Sequence, residues 1–170
     1  MRIELNNVVP GAFRELAELD SEIWGTQVVF DRPGFYQVWA PSGRGKTTFA
    51  HVIYGLRRDY AGTLSIQGHR AADIATDYWA ELRQRHFTPS IDKRCDQISF
   101  GEQQRVAVVR AMAQPFEWLL LDEPFSHLDS ENVEKVSRLI TRQCQLRGAG
   151  CLLMTLDQSR RFDFSQTFRL

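Results

Sequence analysis

Residues 40–48 read Ala40-Pro41-Ser42-Gly43-Arg44-Gly45-Lys46-Thr47-Thr48, between an apolar run and a stretch with helical spacing. The run fits the pattern G-x-x-x-x-G-K-[ST], except that Ala40 stands where the first glycine belongs. Gly43 and Gly45 let the backbone curl so that its N–H groups turn toward an anion, and the following helix adds its positive end. The stretch therefore predicts a phosphate-binding loop; the alternative is a glycine-rich turn with a chance lysine.

The residues of this loop have separate predicted tasks. Lys46 is expected to reach the β- and γ-phosphates of a nucleotide, and Thr47 to offer its hydroxyl to Mg²⁺. Further contacts to the nucleotide are predicted for Pro41, Ser42, Gly43, Arg44, Gly45 and Thr48.

Two carboxylates follow a buried-strand pattern farther along the chain. Residues 119–121 are a continuous apolar run, typical of a strand covered on both faces, and Asp122 and Glu123 follow directly. Because open α/β sheets bind ligands at the carboxyl ends of strands, Asp122 is predicted to hold Mg²⁺ through a water molecule. Glu123 is predicted to orient or deprotonate an attacking water. The alternative is a strand that ends in solvated acids, and the loop upstream favours the paired interpretation.

Hydrophobic spacing alternates between strand and helix patterns along the chain. Strands are predicted at 28–30, 35–39, 62–68, 117–121, 151–155 and 168–170, helices at 49–54, 71–85, 99–112 and 130–146, and a loop at 89–97. Buried strands that alternate with helices predict an α/β fold, with a mainly parallel sheet flanked by helices on both faces. The length of 170 residues favours one domain, 1–170.

Composition excludes several classes of protein. Apolar residues make up 43% and charged residues 25%, which is typical of a globular domain and not of a disordered chain. Basic and acidic residues number 21 each, so the chain has no general attraction for nucleic acid. Its apolar runs are too short for a membrane-spanning helix, and three cysteines without a CxxC pair support neither a disulfide framework nor a zinc site. We therefore expect a reduced, cytoplasmic, soluble chain.

A third stretch, residues 97–106, contains residues that helix capping alone does not explain. Residues 97–106 read Gln97-Ile98-Ser99-Phe100-Gly101-Glu102-Gln103-Gln104-Arg105-Val106. Ser99 followed by Glu102 is a capping box, which satisfies free N–H groups at a helix start. Capping does not account for Gly101 or for the run at 103–105.

Taken in order, these stretches resemble the ATP-binding cassette (ABC) ATPases. Residues 98–107 are similar to the family's LSGGQ signature and its continuation, residues 119–129 to its Walker B strand and D-loop, and residues 155–157 to its T-H-D sequence. The run GEQQRVA, residues 101–107, looks closest to the lipoprotein-export, cell-division and macrolide-efflux ATPases. The resemblance covers roughly residues 28–157, and it implies a P-loop NTPase fold with an N-terminal antiparallel β part.

The resemblance also implies a function and partners. Two copies, identical or different, would sandwich two ATP molecules with Mg²⁺. Ser99 and Gly101 of one copy would cap the γ-phosphate held by Lys46 of the other, and Glu123 would be the catalytic base. Dimer closure would move a separate integral membrane subunit from the cytoplasmic face, with no nucleic acid as partner.

The chain departs from the family pattern at several points. Leu156 stands where the family has its switch histidine, and leucine cannot hydrogen-bond a phosphate. Phe100 replaces the first signature glycine. No glutamine loop is recognisable between Leu82 and Gln97, and the helical subdomain, about residues 71–113, is predicted to be strongly reduced. These departures predict hydrolysis that is slow or dependent on a partner.

Two other functions stay open. The first is an ATP-sensing interaction module with little or no hydrolysis, which the same departures favour. The second is a small P-loop kinase, against which the signature-like stretch at 98–105 counts. The aromatic residue that would stack on adenine is either Phe13 or Trp24, and packing is an alternative role for each.

Overall fold

The structure is a computed structural model that describes residues 1–13, 20–71, 87–89, 100–113, 115–158 and 162–170. These ranges contain nine strands and three α-helices. In chain order the elements are β1 (Ile3–Pro10), β2 (Gln27–Phe30), β3 (Phe35–Trp39), α1 (Lys46–Ile53), β4 (Tyr60–Ile66), β5 (His69–Arg70), β6 (Phe87–Pro89), α2 (Phe100–Met112), β7 (Trp118–Asp122), α3 (Ser130–Arg147), β8 (Gly150–Thr155) and β9 (Gln166–Arg169).

The strands form two sheets. The larger has the order β6-β7-β8-β3-β9, and each of its neighbouring pairs is parallel. The smaller is antiparallel, with the order β2-β1-β4-β5. This arrangement confirms the predicted α/β fold, with a parallel sheet and an N-terminal antiparallel part.

Alternating side chains of the parallel strands supply two separate cores. In β7, Trp118 and Leu120 belong to a core shared with α1 and the antiparallel sheet, whereas Leu119 and Leu121 belong to a second core shared with α2 and α3. Because neighbouring residues of a strand point to opposite faces, a strand buried on both faces must be apolar throughout. The continuous apolar runs of β7 and β8 therefore follow from helices that cover both faces of the sheet.

The strand pairing of the parallel sheet brings segments that are distant in the sequence to one edge of the sheet. Asp122 at the end of β7 pairs with Met154, and Trp39 at the end of β3 pairs with Thr155. The carboxyl ends of β7, β8 and β3 consequently lie side by side. The loop at 40–45 and the acids at 122–123 leave the sheet at this edge.

Several predicted boundaries are corrected by the structure. Helix α1 begins at Lys46 and not at residue 49, because Gly45 in the left-handed region is its N-cap. Pro89 belongs to β6 and not to the predicted loop. The predicted helix at 71–85, apart from residue 71, and the loop at 90–97 lie outside the described residues, so the reduced helical subdomain stays a prediction. No helix in the described part of the chain is long and apolar enough to cross a membrane.

Candidate functional site

The predicted phosphate loop joins β3 to α1 at the sheet edge. Gly43 and Gly45 have φ of 78° and 97°, in the left-handed region that an L side chain occupies only with strain. Gly45 has a second constraint, since a Cβ built on it would lie 2.8 Å from a ring carbon of Phe13. The two glycines are therefore required by the path of the loop, as the sequence predicted. Residues 41–44 are exposed, which leaves that part of the loop open to a ligand.

Lys46 connects this loop to the predicted base. Its side chain is only 5% exposed, and Nζ donates hydrogen bonds to the carbonyl oxygens of Ala40 at 2.7 Å and Pro41 at 3.1 Å. The same Nζ lies 3.4 Å from Oε1 of Glu123. The ammonium group is thus held at the loop by two carbonyls and faces a carboxylate across the sheet edge.

Thr47 connects the loop to the second predicted acid. Its Oγ1 donates a hydrogen bond of 2.7 Å to Oδ2 of Asp122. A hydroxyl and a carboxylate are hard oxygen ligands of the kind that Mg²⁺ prefers, and Mg²⁺ usually takes few protein ligands beside water and phosphate oxygens. Among the described residues no group of three or more His, Cys, Asp or Glu side chains could hold a metal alone. The pair therefore fits a Mg²⁺ ion that is bound together with a nucleotide.

Glu123 has an unusual backbone conformation. Its φ of 49° lies in the left-handed region, where a glutamate is rarely found and where functional residues are over-represented. Its N–H donates to the carbonyl of Met154 at 2.9 Å. Its carbonyl accepts hydrogen bonds from the Ser126 amide at 3.2 Å, the Ser126 hydroxyl at 2.8 Å and Gln104 Nε2 at 3.2 Å. These bonds fix the turn that directs the Glu123 carboxylate toward Lys46.

The start of α2 packs against the loop that follows Glu123. A Cβ built on Gly101 would lie 2.8 Å from the carbonyl oxygen of His127, so a side chain there would push the helix away. Phe100 is 73% exposed, and its ring centroid lies 5.6 Å from that of His127. Ser99 lies outside the described residues. Close packing is therefore a sufficient structural reason for Gly101, and its contact with a phosphate stays a prediction.

Known proteins share the fold that carries this site. Residues 71–126 match the protein family described as ABC transporter. Among solved structures, the dimeric bacterial ABC transporter cassette MJ0796 matches with a TM-score of 0.76 and 20% identity, over 91% of this chain and 88% of that one. The chain has the ATP-binding cassette fold. A post-hydrolysis dimer of MJ0796 bound to ADP and Pi matches with a TM-score of 0.75.

Curated relatives of the cassette are import ATPases. The Fe(3+) ions import ATP-binding protein FbpC 3 of Rhodococcus jostii is 31% identical over 74% of this chain and 48% of that protein. The phosphonates import ATP-binding protein PhnC 1 of Rhodopseudomonas palustris is 41% identical over 63% of this chain and 38% of that protein. The cassette thus spans about half the length of the curated relatives it matches, or less. These relatives do not support the narrower resemblance to export and cell-division ATPases that the run at 101–107 predicts.

The turn after β8 is held by a buried side chain of β3 that the sequence did not indicate. Gln37 of β3 is fully buried, and its Nε2 donates to Thr155 Oγ1 at 2.9 Å and to the Asp157 carbonyl at 3.2 Å. Thr155 Oγ1 in turn donates to the Asp157 carbonyl at 2.7 Å. Leu156 is 43% exposed between these two residues. A polar residue inside the apolar run at 35–39 was the available signal for Gln37.

The two aromatic candidates for stacking on adenine differ in burial and in their position relative to the phosphate loop. Trp24 is 3% exposed and packs edge-on against Phe49, with 5.8 Å between ring centroids, so core packing accounts for it. Phe13 is half-buried, and its ring lies against Gly45 of the phosphate loop. Of the two, Phe13 has the position from which a ring could meet a nucleotide bound at that loop.

Proposed function

We propose that the cassette binds Mg-ATP and hydrolyses it as the ATP-binding subunit of an ABC transporter. One observation supports this proposal above the others: Lys46, Thr47, Asp122 and Glu123 converge on one sheet edge, through a 3.4 Å ion pair and a 2.7 Å hydrogen bond. A lysine ammonium, a hydroxyl and two carboxylates are the groups that phosphoryl transfer to water requires.

Each residue has a role that follows from its chemistry. Lys46 and the loop from Pro41 to Thr48 bind the phosphates, and Thr47 and Asp122 hold Mg²⁺, which neutralises negative charge on the phosphate oxygens. Glu123 accepts a proton from a water molecule as the water oxygen bonds to the γ-phosphorus and the bond to ADP breaks. Because Lys46 Nζ and the Glu123 carboxylate lie 3.4 Å apart, a γ-phosphate bound by Lys46 would also lie near Glu123.

The partners follow from the family and are part of this proposal. A second cassette, identical or different, would complete the site with Ser99 and Gly101 of its signature stretch. A separate integral membrane subunit would convert closure of this pair into transport, with the cassette on the cytoplasmic face. The curated relatives are import ATPases and the run at 101–107 resembles export ATPases, so we propose no direction of transport.

An ATP-sensing module with little hydrolysis is the second candidate, and Leu156 favours it. An aliphatic side chain at this position can neither hydrogen-bond a γ-phosphate nor relay a proton. Such a module would bind Mg-ATP through the same residues and use closure of the cassette pair to recruit a partner.

An ATPase assay on wild type and Glu123→Gln tests the two candidates. The ATPase predicts hydrolysis that Glu123→Gln lowers about 100-fold or more, with Mg-ATP binding retained. The control is Glu134→Gln, since Glu134 is an exposed glutamate of α3 paired with Arg138. Hydrolysis that stays at background with every membrane protein that co-purifies with the cassette would favour the sensing module. Fast hydrolysis that ignores Glu123→Gln would contradict both.

A further inference from the structure

Gln104 is the point where α2 contacts the backbone of the predicted catalytic base. Its Nε2 donates a 3.2 Å hydrogen bond to the carbonyl oxygen of Glu123. The other two donors to that carbonyl, the amide and the hydroxyl of Ser126, belong to the same turn as Glu123. Gln104 thus donates to this carbonyl from a different element, helix α2.

The Glu123 carbonyl belongs to the backbone turn from which the Glu123 side chain starts. A non-glycine residue at φ 49° keeps that conformation only while the surroundings hold it. The carbonyl direction is set by ψ of Glu123, and the direction of the side chain follows from the same backbone. A donor that holds the carbonyl therefore helps to hold the turn from which the Glu123 carboxylate reaches Lys46, 3.4 Å away.

A second contact fixes α2 against the same loop. Gly101 packs so closely on the His127 carbonyl that a Cβ would approach to 2.8 Å. Gly101 and Gln104 are three residues apart, which places them on one face of the helix. The position of α2 is consequently set at two points along residues 123–127.

We propose that Gln104 is a positioning residue for Glu123, through which the placement of α2 determines whether the base is aligned. This inference rests on the proposed role of Glu123 in hydrolysis. Its effect is exerted through the Glu123 backbone and not by contact with the nucleotide.

A double-mutant cycle on hydrolysis tests the proposal. We expect Gln104→Leu and Gln104→Glu, which both remove the donor, to lower kcat about fivefold with little change in KM. In the Glu123→Gln background, Gln104→Leu should cause no further fall, because the group being positioned is already absent. Val109→Leu, at an exposed position of the same helix, is the control and should leave kcat unchanged.

Amide hydrogen exchange without nucleotide provides an independent readout. Gln104→Leu should accelerate exchange of the Ser126 amide, which bonds the same carbonyl, while the urea midpoint stays near that of wild type. Unchanged exchange at Ser126, or an equal fall in kcat in both backgrounds, would overturn the positioning role and leave that of Glu123 intact. A Glu123→Gln variant with full kcat would overturn both roles, so the two failures are distinguishable.

Discussion

Thr47 and Asp122, 75 residues apart in the chain, are joined by a 2.7 Å hydrogen bond between Oγ1 and Oδ2. The bond links the first turn of α1 to the end of β7, and the two segments meet because their strands end at the same edge of a parallel sheet. A hydroxyl already placed beside a carboxylate brings two oxygen groups together for a Mg²⁺ ion before any ligand arrives. The pair should therefore control how strongly Mg²⁺ promotes nucleotide binding.

Thr47→Val should remove most of the Mg²⁺ dependence of ATP affinity. Valine has nearly the same shape and no oxygen, so ATP affinity with Mg²⁺ should fall toward the value measured in EDTA. Calorimetric titration of ATP with and without Mg²⁺ measures this ratio. Thr141→Val on α3 is the matched control and should keep the wild-type ratio of ATP affinities with and without Mg²⁺. A Thr47→Val protein that kept this ratio would contradict the assignment of Thr47 as a Mg²⁺ ligand.

Replacing each of the two loop glycines by alanine should lower the free energy of unfolding by different amounts. Gly43→Ala meets open space, so it should lower the free energy of unfolding only by the backbone strain, about 1 kcal/mol. Gly45→Ala has the same kind of backbone strain, and its Cβ would also clash with the Phe13 ring. It should therefore lower the free energy of unfolding by at least about 1 kcal/mol more than Gly43→Ala. Urea unfolding measures both. Adding Phe13→Ala to Gly45→Ala should recover part of the extra loss, and equal costs at the two glycines would show that the ring contact is absent.

Asp129 should make the stability of α3 dependent on pH. The Asn132 amide, and then the Asn132 side chain, donate to its carboxylate at 2.8 and 2.7 Å, which holds the pKa of Asp129 below its ordinary value of 3.8. A carboxyl whose pKa is lower in the folded state stabilises the fold fully above the unfolded pKa, and this contribution is lost as pH falls through the folded pKa.

Asp129→Ala should therefore lower the urea midpoint at pH 7, and the difference from wild type should shrink as pH falls below about 4. Asp129→Asn is the comparison, because its amide oxygen can still accept from the Asn132 backbone but does not titrate. A difference between wild type and Asp129→Ala that stays constant from pH 7 to pH 2.5 would refute the ionised cap.

Leu156→His should raise ATP hydrolysis. Leu156 is 43% exposed beside the sheet edge, so an imidazole can replace it with little packing loss. The imidazole would add a side chain that can hydrogen-bond a γ-phosphate at this position. We expect an increase in kcat of about tenfold or more. Leu146→His, at a 69% exposed position of α3, serves as control. An unchanged kcat in Leu156→His would mean that position 156 takes no part in hydrolysis.

The strands that the sequence predicts most clearly are those buried on both faces. Residues 119–121 and 151–154 are apolar throughout because each strand is covered on both faces, and that pattern is visible without a structure. Strand β1 was missed because exposed Asn6 and Asn7 interrupt its alternation, where φ of Asn7 is 51° and the pairing with β4 shifts register. The residues of the site likewise separate into those that the sequence predicts and those that it does not.

Site residues were predictable where the residue type itself carries the chemistry. Lys46, Thr47, Asp122 and Glu123 were inferred from a loop pattern and from acids at a strand end, and the structure brings these four together. Gln104 was not inferred as part of the site, because its importance depends on a hydrogen bond to a backbone carbonyl that only tertiary packing places beside it. A glutamate likewise carries no local preference for positive φ, so the turn at Glu123 had no signature in the sequence.

Calorimetric titration of Mg-ATP into wild type and Lys46→Ala tests the central claim most directly. Lys46 supplies a nearly buried ammonium at the loop, so Lys46→Ala should weaken Mg-ATP binding about 10- to 100-fold. Lys135→Ala, an exposed lysine paired with Glu131 on α3, should bind like wild type. Binding of Mg-ATP by wild type and its loss in Lys46→Ala alone is the result predicted. No heat of association with wild type, or equal affinity in Lys46→Ala, would contradict the nucleotide site.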